Sequence, residues 1–113
     1  MYSSKFNNNR KSKLNPYFVK EIMEASPQEL LIKIYDFAIV NCQKHDMPKT
    51  NAALQELINS LRYDRADVKE ISIGFLKLYQ YCQREMRKKN YAVVLEILTG
   101  LRNSWLEAFR KLR

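Results

Sequence analysis

His45 is the single histidine of a 113-residue chain, and that limits the available chemistry at once. One imidazole needs thiolate or carboxylate partners at ligand spacing to hold a metal, and no such motif surrounds it. Cys42 and Cys82 lie 40 positions apart, outside any C-x-x-C pattern. Gly74 and Gly100 are the only glycines, so a P-loop or a G-x-G-x-x-G turn is impossible. No nucleophile and base can be paired by spacing. The expectation is a non-enzyme with no metal and no cofactor. His45 reads as a capping or surface residue near a helix C-terminus, where a cation is favoured. Each thiol reads as a small core hydrophobe rather than half of a disulfide.

The elements carrying these residues must be helices. Hydrophobic residues make up 46% of the chain and charged residues 28%, a globular balance. Two glycines and three prolines are too few to punctuate a sandwich or barrel. The length suits one domain and one core. Residues 1–14, rich in Ser, Asn, Lys and Arg, read as a flexible basic tail without the apolar region of a signal peptide. No apolar run approaches the ~20 residues of a membrane span. The expected location is the cytoplasm.

Residues 15–113 form the expected single domain. Asn15-Pro16 opens a short amphipathic stretch bearing Tyr17, Phe18 and Ile22, too short to be helical without a surface beneath it. Ser26-Pro27-Gln28-Glu29 is a capping box with proline at the first helical position. The helix behind it places Leu30, Leu31, Ile34, Tyr35, Phe37, Ala38 and Cys42 on one face and ends near His45. Asp46-Met47-Pro48 restarts a second helix that runs to about Arg62, with Met47, Leu54, Leu57, Ile58 and Leu61 inward. Asp67 can cap a third, whose seam is Val68, Ile71, Phe75, Leu78, Tyr79, Cys82 and Met86. Asn90 can cap a fourth, with Tyr91, Val94, Leu95, Leu98, Leu101, Trp105, Phe109 and Leu112 inward. No repeat of 20–50 residues is visible. Short connections predict an all-α, antiparallel up-down four-helix bundle with a short N-terminal helix or cap.

Apolar residues remain off these seams: Ile32, Ile39 and Val40 on the first helix, Ile73 and Leu76 on the third, Val93 and Ile97 on the fourth. Several large aliphatics outside the core predict a surface awaiting cover. Tyr81 points to a flank, where a ring with one dry and one wet end suits an interface. The expected partner-binding set is Tyr17, Ile22, Ile73, Leu76, Tyr81, Val93 and Ile97.

The net charge is +8, distributed as +3 over residues 1–25, zero over 26–83, +3 over 84–90, −1 over 91–101 and +3 over 102–113. The cations sit at both chain ends and one helix junction rather than on a stripe, so nucleic acid is not the expected partner.

Asn15-Pro16-Tyr17, Ser26-Pro27-Gln28-Glu29-Leu30-Leu31 followed by Ile34-Tyr35-Asp36, Leu78-Tyr79-Gln80-Tyr81, and Leu101-Arg102 with Trp105 occur in this order. Together they resemble the flagellin-specific export chaperone family (FliS) over residues 15–109. Gln80 stands where that family usually has an acid, and the first hairpin is about two turns shorter. The resemblance implies a cytoplasmic helical bundle that binds the C-terminal region of flagellin. Binding would keep the subunit monomeric until export by the flagellar type III apparatus. The export gate or other flagellar regulators are further possible partners by the same resemblance. Two rival readings are a basic helical nucleic-acid adaptor and a structural helical homodimer.

Overall fold

Ser26 caps the first described helix as the sequence predicts. The computed structural model describes residues 26–112, together with Pro16. The Oγ of Ser26 accepts the backbone N–H of Glu29 at 3.2 Å, and Glu29 Oε1 accepts the N–H of Ser26 at 3.2 Å. Two orphan donors are satisfied reciprocally, so helix α1, Pro27–Gln43, starts at a fixed residue. Helix α2 covers Met47–Asn59, with the Asp46 carboxylate accepting the N–H of Lys49 at 3.0 Å. Helix α3 covers Ala66–Arg87 and helix α4 covers Tyr91–Lys111.

Three boundaries depart from expectation. Arg65, not Asp67, precedes α3, and Asp67 lies in the first turn, held by Arg65 at 2.6 Å. Asn90 precedes α4 without capping it, because its amide donates to Glu85 Oε1 at 2.7 Å. Ser60 ends α2 two residues early, its hydroxyl donating to the carbonyl of Leu57 at 2.7 Å.

The four helices pack around one core, α1 against α2 and α4, and α3 against α2 and α4. Tyr35, Leu54, Leu57, Met86, Val94 and Leu98 are fully buried in it. The α1 seam matches expectation. On α3, Ile71 does not: it is 61% exposed. Leu112, expected inside, is 74% exposed. Tyr17, Ile22 and the proposed N-terminal cap lie outside the described residues.

The backbone reveals a repeat that residue types conceal. After α1 come Lys44 as C-cap, His45 at φ 59° and Asp46 as N-cap; after α3 come Lys88, Lys89 at φ 65° and Asn90. Their N–H groups bond in the same order, to Val40, Cys42 and Asn41 in the first turn and to Arg84, Met86 and Glu85 in the second. Every pair is offset by 44. The helices flanking the turns obey the same offset: α1 and α3 end at Gln43 and Arg87, α2 and α4 begin at Met47 and Tyr91. The two turns and the helix ends around them thus repeat with one offset. Residues at the same offset also meet across the core, Tyr35 with Tyr79 and Cys42 with Met86.

Candidate partner-binding surface

Tyr35, Tyr79 and Trp105 join in a polar chain inside the bundle. The hydroxyls of Tyr35 and Tyr79 are 2.6 Å apart, and Trp105 Nε1 donates to the Tyr35 hydroxyl at 3.1 Å. Burial pushes both phenol pKa values up, so both rings stay neutral and able to hydrogen-bond. At the next residue of α1, the Arg102 guanidinium bonds the Asp36 carboxylate. Phe75 stacks on Tyr79 and on Trp105, each at 5.7 Å between ring centres. The tyrosine, acid, arginine and tryptophan of three separate sequence motifs are thus tied together across α1, α3 and α4. This cluster ties α3 and α4 to α1, with the tyrosines buried and the Asp36–Arg102 pair partly exposed.

The helices it fixes carry the exposed apolar residues. Ile73, Tyr81 and Val93 are between 36% and 39% exposed. Leu76 and Ile97 are half-buried, and Ile97 packs against the core. The surplus on α1 divides in the same way: Val40 is exposed, while Ile39 packs on the core.

Helical geometry separates the five described candidates into two groups. Leu76 lies about 20° around α3 from Gln83, whose amide donates to α2 at Asn51 O and Gln55 Oε1. Leu76 therefore borders α2, and Ile73 stands between that flank and the outer face. Tyr81 lies about 40° around α3 from Glu85, the residue bonded to Asn90 at the foot of α4. On α4, Arg102 reaches α1, and Val93 lies about 180° around the helix from it. Val93 and Ile97 thus flank the side of α4 turned away from α1, toward α3. Tyr81, Val93 and Ile97 border the α3–α4 groove, and Ile73 and Leu76 do not.

The α3–α4 side is also where the repeat of the helices is uneven. α1 packs closely along α2, whereas the equivalent pair, α3 and α4, meets least extensively of the four neighbouring pairs. Leu78, assigned to the seam from its spacing, is half-buried, and Ile71, also assigned there, is exposed. Both project toward the α4 side of α3, about 60° and 40° from Phe75, which stacks on Trp105. Sequence periodicity placed them inward and missed their availability.

The thiols do not contribute a reactive site. Cys42 and Cys82 are free and buried. Burial pushes the Cys82 thiol up to about 12 and raises that of Cys42, so neither forms thiolate near neutral pH. Among the described residues no group of three or more His, Cys, Asp or Glu could hold a metal ion. No helix there is long and apolar enough to cross a membrane.

No protein-family model, curated protein or solved structure is significantly similar to this chain.

Proposed function

We propose that this protein is a cytoplasmic chaperone of the flagellin-export kind, built as an antiparallel up-down bundle. It covers the C-terminal segment of flagellin and holds the subunit unpolymerised until export. One observation carries this reading. Among the residues on which the resemblance rests, Tyr35, Tyr79 and Trp105 are joined by hydrogen bonds and the neighbouring Asp36 pairs with Arg102, although they lie up to 70 positions apart.

Two further observations support it. Tyr35 meets Trp105 while Cys42, later in α1, meets Tyr91, earlier in α4, the order expected of antiparallel neighbours. The α3–α4 groove offers apolar flanks and a tyrosine to an amphipathic helix, the usual requirement for helix-in-groove binding. A segment that orders on binding gives up part of its contact energy as entropy, which keeps affinity moderate and release feasible.

Titration calorimetry of the full chain against a flagellin C-terminal peptide tests the proposal. It calls for saturable binding with a negative heat-capacity change and a shallow dependence on salt. Absence of heat at several temperatures, with no shift in sedimentation, overturns it.

A further inference from the structure

The fold gathers charge that the sequence scatters. Both short turns, Lys44–Asp46 and Lys88–Asn90, lie at one end of the bundle. Their proximity is direct: the His45 ring stacks on Tyr91 at 4.1 Å and 12°, and Cys42 Sγ lies 3.4 Å from the carbonyl of Tyr91. The turns and the helical turns flanking them hold six cations, Lys44, Lys49, Arg84, Arg87, Lys88 and Lys89, against two acids, Asp46 and Glu85. Both acids are engaged. Asp46 accepts the N–H of Lys49, and buried Glu85 accepts from Asn90 and lies 3.5 Å from Lys88. The other end differs: Arg62, Arg65 and Arg110 each hold a carboxylate within 2.8 Å.

Charge alone would suit any polyanion, including an acidic peptide. The His45 ring is the discriminating feature. It is exposed and lies flat on a tyrosine, with Lys44 next to His45 in the chain and Lys88–Lys89 in the turn that leads to Tyr91. A planar ring beside cations is the arrangement that holds single-stranded nucleic acid, with a base on the ring and phosphates on the lysines. An acidic peptide has no general use for the ring. We propose that this end of the bundle binds single-stranded RNA, one base stacking on His45 and the adjoining phosphates meeting Lys44, Lys88 and Lys89. The site is remote from the α1–α4 polar cluster and does not depend on the flagellin reading.

Fluorescence anisotropy with a labelled oligo-A of about 12 nucleotides, at two salt concentrations, tests it on the full chain. Two variants leave the left-handed turn conformation undisturbed. Lys44→Ala with Lys88→Ala alters the two C-cap positions, both at ordinary φ. His45→Asn removes the ring while keeping a side chain tolerant of φ 59°. Superimposable circular dichroism melts establish that each variant folds; the other variant decides if one does not. The expected results are binding that weakens with salt and about a 10-fold loss for either variant. The double lysine variant also flattens the log–log salt slope by about 1.4. The basic residues before position 14 are present throughout, so the losses report this end alone. Wild-type affinity in both variants overturns the proposal. So does equal competition by a polyglutamate peptide of matched charge, which would make the partner an acidic protein segment.

Discussion

The Tyr35 and Tyr79 hydroxyls meet at 2.6 Å, each residue facing the one at the same offset of 44 that relates the two turns. The pair is asymmetric in what surrounds it. Tyr35 also accepts from Trp105, whereas Tyr79 has only Tyr35 among its described polar partners. Tyr35→Phe strips a partner from both neighbours; Tyr79→Phe strips one. An unmade buried hydrogen bond costs about 1–3 kcal/mol. Tyr35→Phe should therefore destabilise by about 2–4 kcal/mol and Tyr79→Phe by about 1–2 kcal/mol. Urea unfolding of both variants and the double variant checks the order and the coupling.

Alkaline pH should weaken the fold through the buried thiol and phenols. Burial raises the Cys82 pKa from an ordinary 9.0 to about 12, with neighbouring Cys42 and Glu85 adding to the shift. The unfolded chain loses this proton first, so it binds fewer protons than the folded one above pH 9.0. The stabilisation is intact below 9.0 and is lost as pH rises toward 12. Tyr35 and Tyr79, raised by burial, act in the same direction above 10.0. Unfolding midpoints should fall across this window, and fall less steeply in Cys82→Ala. Parallel slopes in the two proteins would show that Cys82 is not involved.

The capping box at Ser26 should have a measurable effect because nothing else begins α1. Ser26→Ala removes the acceptor for the Glu29 N–H and should lower stability by about 0.5–2 kcal/mol. Arg102→Gln should cost less, about 0.2–1 kcal/mol, because its ion pair with Asp36 is partly exposed to water. Its loss should shrink further at high salt. Thermal melts at two ionic strengths separate the two cases.

Much of the fold was legible because its signals are local. Ser26, Pro27 and Glu29 fix a helix start by hydrogen-bond geometry alone, and Asp46 before Pro48 does so again. The seams of α1 and α2 follow from a 3.6-residue period. The period says which face is apolar but not how far a neighbour extends along it. Ile71 stands at the α3 position equivalent to Pro27, the first residue of α1, and is left exposed. The hairpin repeat was invisible for another reason. Residues 27–60 and 71–104 agree in type at only seven of 34 positions, among them Tyr35/Tyr79, Lys44/Lys88 and Leu54/Leu98. Turn conformation and hydrogen bonding repeat where residue type does not. For the candidate surface, off-seam spacing marked Ile73, Tyr81 and Val93, which are exposed, but could not tell which flank of its helix each occupies, because that depends on how the helices pack.

Position on the groove should divide the five candidates in a binding assay. Val93→Asp and Tyr81→Ala should weaken the flagellin peptide by about 1–2 kcal/mol, the range of a modest hot spot. Ile73→Ala should leave it within about 0.5 kcal/mol, as expected outside an interface. Calorimetry on the three variants, each checked for an unchanged melt, reads the difference.

Growth of flagellin filaments from seeds, followed by light scattering, tests the proposed chaperone activity most directly. Equimolar wild-type chain should suppress elongation by holding the monomer, and Val93→Asp should restore most of it. Elongation at the same rate with and without excess wild-type chain would contradict the proposal.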